Sequence, residues 1–175
     1  MMEGMGASRW HHLRAVAVLP GTVTVLVPAT LLHLTHRAPL IDGACRIGLR
    51  GLGAALLLLG LALMVQAIGL FGRVGEGTLA PWDPTQKLVV RGVYRHVRNP
   101  MITGVMSVLL GEAALFASAA QLGWFLAFAL ANVIYIPLAE EPGLERRFGA
   151  DYREYKRHVP RWIPRLRPWT PPART

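Results

Sequence analysis

"PMITGVMSVLLGEAALFASAAQLGWFLAFALANVIYIPLA", Pro100 to Ala139, carries one charged residue, Glu112. A helix crossing the hydrocarbon core needs about 20 mostly apolar residues, and this run is about twice that long. The weakly polar "ASAAQLG", Ala117 to Gly123, reads as a tight turn near its middle. The run therefore predicts two antiparallel spans joined as a helical hairpin. Upstream, residues 51–71 ("GLGAALLLLGLALMVQAIGLF") form another uncharged stretch, with Gln66 as its strongest polar group, and residues 15–32 ("AVAVLPGTVTVLVPATLL") form a further one. Pro20 and Pro28 predict a bend in that first stretch, which a membrane helix tolerates where neighbours satisfy the freed carbonyls. The expectation is an all-α integral membrane protein with four transmembrane helices.

Composition agrees. The chain has 175 residues, 53% of them hydrophobic and 17% charged, which fits one small domain whose apolar surface faces lipid. The net charge of +9 does not point to nucleic acid, because the basic residues flank long uncharged segments instead of interleaving with exposed aromatics. Anionic headgroups are the expected partner. Cys45 is the single cysteine, so neither an intrachain disulfide nor a cysteine zinc cluster is expected. Arg9 and Arg14 precede the first run as they would in a signal peptide, but the run is longer than a usual h-region and no small-residue cleavage site ends it. It reads as a retained span. Four spans place the N-terminus, the 72–99 connection and the C-terminus on one side, and these hold nearly all the Lys and Arg. The opposite side has Arg37, Arg46 and Arg50. The positive-inside rule makes the basic side cytoplasmic. Residues 1–71 thus read as a two-span segment, 72–165 as the functional region, and 166–175 as a flexible tail.

Polar residues gather at the cytoplasmic ends of the spans in two places. The first is "QKLVVRGVYRHVRNPM", Gln86 to Met101. Asn is among the best N-cap residues and Pro suits the first helical position, so Asn99 and Pro100 predict a helix start. The N–H groups of Met101 and Ile102 would then be free at the positive end of the helix dipole, with Arg98 beside them, a site that suits a carboxylate or phosphate. A plain cap with headgroup-binding arginines is the simpler reading. The second place is "AEEPGLERRFGADYREYKRHVPRWIPR", Ala139 to Arg165. Two adjacent acids at a membrane boundary, Glu140 and Glu141, are costly unless solvated or paired; pairing with Arg98 is a structural explanation and cation binding a functional one. Pro142 is expected to restart the chain. Leu144, Phe148, Tyr152, Tyr155 and Val159 then recur at helical spacing, opposite Arg146, Arg147, Arg153, Lys156 and Arg157, which predicts an amphipathic helix lying in the interface.

The order "GTLAPWDP", "LVVRGVYRHVRNPM", hydrophobic hairpin, "EEPGLERRFGADYREYKRHVPRWIP" resembles the isoprenylcysteine carboxyl methyltransferase and phospholipid methyltransferase superfamily of integral membrane enzymes, over roughly residues 72–165. The resemblance implies S-adenosylmethionine as methyl donor at the cytoplasmic ends of the last two spans, in a protein of the bacterial inner membrane. It implies cofactor contacts from Lys87, Leu88, Val89, Gly92 and Tyr94, and from the block Arg98, Asn99, Pro100, Met101 and Ile102. It places Glu140 near the cofactor and Glu141 near the reacting groups. Asn99 stands where a His is common and Ile102 where a Tyr is usual, so an aromatic wall or a hydroxyl contact is lost there. Arg98 with the helix start would hold the cofactor carboxylate and Glu140 the ammonium or the ribose diol. Leu88, Val89 and Tyr94 would pack the adenine, and Glu141 would orient or deprotonate the acceptor. Arg98 could alternatively steady an anionic acceptor.

Acceptors of three kinds fit: an isoprenoid or prenylated carboxylate, a lipid amine, or a small thiol. Full processing of prenylated proteins is disfavoured, because Tyr135 and Ile136 sit where an arginine would precede the acidic pair. Two rival functions are a nicotinamide-dependent reductase of the sterol type and a non-catalytic membrane module. Glu112 reads as a structural hydrogen-bonding or headgroup-level acid, Gln66 and Asn132 as interhelical hydrogen-bond partners, and His33 and His36 as no metal site. The glycines of "GLGAALLLLG" offer a packing face, for a second copy or for a neighbour within the chain.

Overall fold

The computed structural model describes residues 20–35, 43–74 and 88–171. Among the described residues the regular structure is helical throughout: α1 (Thr22–Leu34), α2 (Ala44–Val74), a single 3₁₀ turn at Gly92–Arg95, α3 (Pro100–Phe116), α4 (Ala119–Tyr135) and α5 (Glu141–His158). Two helical stretches are long and apolar enough to cross a membrane, Ala44–Leu70 and the one beginning at Ala119; α1 and α3 are shorter apolar helices. The 17 residues of α3 extend about 25 Å at the usual helical rise. Residues 15–19 of the first apolar run lie outside the described residues.

Prolines leave their mark as π turns. Pro28 has no N–H to offer the preceding turn, and just before it, at Thr22–Leu26, the helix widens so that the N–H of Val27 reaches the carbonyl of Thr22. Thr24 Oγ1 donates to the Pro20 carbonyl at 2.7 Å. The same device recurs at Pro137: residues Ile136–Glu140 form a π turn in which Glu141 N–H reaches Ile136 O. The chain does not restart at Pro142, as the sequence suggested. The π turn absorbs the missing donors, and the rod runs unbroken from α4 into α5. It breaks later, at Gly149, whose φ of 55° and ψ of −124° lie where only glycine is at ease.

Helices α3 and α4 are separated by Ala117 and Ser118. Ala117 is left-handed and returns its N–H to the last carbonyls of α3, and Ser118 Oγ accepts from Gln121 N–H at the start of α4. Helix α2 lies against α3 along a seam of glycines. A Cβ on Gly60 would sit 2.6 Å from Gly104 O, and one on Gly53 would sit 2.7 Å from Gly111 O. The packing face offered by the "GLGAALLLLG" glycines thus meets a neighbour in the same chain. Above the seam, Met64, Val105, Val108 and Leu109 form a buried cluster joined by Val23, Trp124, Phe125 and Phe128, and Trp124 Nε1 donates to Val23 O at 3.1 Å, tying α4 to α1.

Gln66 and Asn132 take other roles than expected, while nothing contradicts the reading of Glu112 as a structural or headgroup-level acid. Gln66 is on the exposed surface of α2. Asn132 bonds the carbonyl of Phe128 in its own helix at 2.8 Å instead of a neighbouring one. Glu112 has one carboxylate oxygen buried without a hydrogen-bond partner. His33 is exposed, and His36 lies outside the described residues.

The larger correction concerns α5. Its apolar face is covered by the protein itself: Tyr152, Tyr155 and Val159 are buried together with Leu88, Val90, Leu144, Phe148 and Trp169. The amphipathic period was real, and it seats α5 on the loop preceding α3. Beyond α5 the chain returns along that loop. Arg98 N–H donates to Pro160 O at 2.9 Å, Arg165 N–H to His96 O at 3.0 Å and Trp169 N–H to Arg95 O at 3.0 Å. The stretch read as a tail from residue 166 is therefore held in place as far as Trp169, which stacks on His158.

Candidate functional site

The loop 88–99 is anchored before it presents anything polar. Val89 and Tyr94 are buried with Ala67 of α2, and Leu70 and Met101 pack on them. Gly92 is required here: its φ is +53° and a Cβ would fall 2.8 Å from Leu70 Cδ1. Tyr155 of α5 donates its hydroxyl to Tyr94 O at 2.6 Å. Burial pushes the Tyr94 and Tyr155 hydroxyls well above the usual phenol range, so both stay neutral.

Helix α3 begins at Pro100 with Asn99 in the N-cap position, as the sequence predicts, but the Asn99 side chain makes no capping hydrogen bond. The first helical bond is Thr103 N–H to Asn99 O at 2.9 Å. Helix geometry points the N–H groups of Met101 and Ile102 out of the helix start. Met101 is also a core side chain, packed on two buried clusters.

Beside this helix start lies a charge cluster built around Glu141, which is 2% exposed. Arg98 Nη1 donates to its Oε1 at 2.9 Å. Arg161 Nε donates to the same oxygen at 2.7 Å and Arg161 Nη2 to Oε2 at 3.0 Å. Lys156 Nζ lies 3.0 Å from Oε2 and 2.8 Å from Glu145 Oε1. Burial opposes ionisation of Glu141, but the hydrogen bonds from Arg161 and Lys156 and the charge of Arg98 outweigh it and hold the carboxyl below the usual carboxylate range. Arg98 is itself largely enclosed, with 8% of its side chain exposed, and its Nε is buried without a hydrogen-bond partner.

Glu140 is the contrasting acid. Burial first, and then the charge of Glu141, push its carboxyl above the usual range. Its field also raises Tyr94 and Tyr152, so it lies toward the 88–99 loop. No hydrogen bond or ion pair engages it among the described residues. Thus Leu88, Val89, Gly92, Tyr94, Arg98, Asn99, Pro100, Met101, Ile102, Glu140 and Glu141 fall in one region of the fold, while Lys87 and "GTLAPWDP" lie outside the described residues. Arg161 escaped the sequence reading. Its separation from Glu141 spans the Gly149 break, so no helical period links them, and Lys156 looked like one more cation of a solvated face.

Apolar helices of membrane length, closing at one end on a buried acid that is bridged to three cations, define a helical membrane protein with a polar site at one mouth. A family model described as phospholipid methyltransferase matches residues 49–151, more than half of the chain. The chain belongs to this family. Methanethiol S-methyltransferase 2 of Bradyrhizobium diazoefficiens is 40% identical over 77 residues, 42% of this chain and 27% of that protein. The chain thus spans well under two thirds of the length of the relative that it matches. No solved structure matches it.

Proposed function

We propose that this protein is a methyltransferase that uses S-adenosylmethionine at the cytoplasmic mouth of a four-span bundle in a bacterial inner membrane, with α1 to α4 as the spans and the Lys- and Arg-rich side in the cytoplasm. The observation that carries the reading is the asymmetry of the acidic pair: Glu141 is fully engaged, whereas Glu140 beside it has no partner among the described residues.

The residues fit the cofactor's two charged ends. Arg98, with its unpartnered buried Nε and the outward N–H groups of Met101 and Ile102, suits a carboxylate. Glu140 suits an ammonium. When bound, the cofactor supplies an electrophilic methyl group on a sulfonium. Leu88, Val89 and Tyr94 form the apolar wall of the pocket, and Gly92 sets the path of the loop that carries them. An ionised carboxylate held by three cations is a weak base, so Glu141 acts as the brace that fixes Arg98 at the helix start instead of taking the acceptor's proton. Positioning in a site closed to water is then the main catalytic work of the chain.

Among the acceptor classes, a small thiol is supported by the activity named for the Bradyrhizobium relative. The purified protein in liposomes, given methyl-labelled S-adenosylmethionine with a short-chain thiol, a lipid amine or a prenyl carboxylate, is expected to label the thiol. Labelling of another acceptor would move the substrate class and keep the reaction; labelling of none would sink the reading.

A further inference from the structure

With Tyr152, Tyr155 and Val159 of α5 buried, the strongly exposed apolar side chains beyond α4 and its π turn are, among the described residues, those of the return segment. In "RWIPRLRP", Arg161 to Arg167 and Pro168, Ile163 is 80% exposed and Leu166 97% exposed. They do not sit on a loose end. The backbone on either side is bonded to the 95–98 loop at Pro160, Arg165 and Trp169, Arg165 Nη1 donates to His158 O at 2.6 Å, and Thr103 Oγ1 in the first turn of α3 donates to Trp162 O at 3.3 Å. The two side chains are thus held outward by a fixed backbone and cannot fold back onto the core. The same stretch carries Arg161, Arg165 and Arg167, and no acid follows Glu154 in the sequence. The contact with Thr103 puts the loop level with the start of apolar helix α3, where a spanning helix meets the headgroups.

We propose that loop 161–168 is a lipid-contacting element, with Ile163 and Leu166 inserted at the headgroup and acyl boundary of an anionic bilayer and Arg165 and Arg167 facing the phosphates, while Arg161 stays on Glu141. Apolar tips beside cationic and aromatic residues are what the interface favours. A second copy is the poorer occupant, because pairing this loop with itself would bring arginines together with no acid in either strand. The proposal rests on α3 spanning the bilayer, as read above. It moves the lipid contact from α5, where the sequence placed it, to the loop beyond.

Because Cys45 is the single cysteine and is exposed, C45S provides a background for nitroxide labels at Ile163→Cys and Leu166→Cys. Leu130→Cys on the exposed apolar face of α4 serves as a lipid reference, and Arg153→Cys on α5 as an aqueous one. Collisions with oxygen, which concentrates in the bilayer, are compared with collisions with a water-soluble nickel chelate in vesicles of phosphatidylcholine and phosphatidylglycerol. The ratio of oxygen to nickel collisions is expected to exceed one at 163, 166 and 130 and to fall below one at 153. A ratio below one at 163 and 166 with Leu130 still in lipid would place the loop in water and overturn the proposal. Protection of both positions from both relaxants would mean a protein contact and overturn it equally. An aqueous Leu130 would remove the spanning reading together with the loop.

Discussion

The α2–α3 seam and the Glu141 cluster hold the two sides of α3 by opposite means: one packs α2 along it, the other ties α5 and the return segment to its start. At the seam there are no side chains to speak of: Gly53, Gly60, Gly104 and Gly111 let two backbones approach until a single Cβ would collide. At the mouth, one carboxylate draws Arg98, Lys156 and Arg161 from three parts of the chain. The difference follows from the solvent each end meets. In lipid no hydrophobic force pulls apolar helices together, so close van der Waals contact holds them. At the polar end charges are available, and burying one is tolerable only when its partners are well placed. Shape therefore fixes how the helices lie, and charge fixes how the site is arranged on top of them.

The largest way to break that contrast is Glu141→Ala. It leaves three cations without their common partner and should cost about 3–5 kcal/mol, read as a lower melting temperature in detergent. The cluster should also show itself as a pH dependence that the seam lacks. The folded carboxyl of Glu141 titrates below its unfolded value of about 4.3. Its contribution is therefore fully present above that value and is lost as pH falls through the lower, folded one. Glu141→Gln should flatten this acid limb of the stability curve, whereas Gly60→Leu should leave the limb in place. Gly60→Leu itself should destabilise by about 1–3 kcal/mol or more, because the new atoms meet backbone. Gly51→Leu on the exposed side of the same helix, with nothing within 4 Å, should be neutral or slightly stabilising. Tyr155→Phe should cost less, about 1–2 kcal/mol, by leaving the Tyr94 carbonyl without its donor. Equal losses for Gly60→Leu and Gly51→Leu would show that the seam is not held by shape.

Much of this was legible in the residues. Charge-free length announced the apolar helices, Asn99 and Pro100 marked the start of α3, and the adjacent acids stood out against a basic flank. What was hidden was partnership across distance. The period of Leu144, Phe148, Tyr152, Tyr155 and Val159 told of a buried face but not of what buries it; protein and bilayer leave the same pattern in a sequence. Pro142 looked like a restart because the π turn just before it has no sequence signature of its own. Arg161 was one arginine among many until the backbone turned it onto Glu141. The family resemblance gave Glu140 and Glu141 different roles, but nothing in the residues said that Glu141 is held by three cations while Glu140 has no partner among the described residues.

That last distinction is the centre of the account. Titration of the purified protein with S-adenosylhomocysteine in a calorimeter tests it most directly. The account predicts saturable binding to the wild type and its loss in Glu140→Gln, with the melting temperature of the variant little changed because Glu140 holds no other group among the described residues. Binding that survives Glu140→Gln undiminished, or a wild type that does not bind at all, would contradict it.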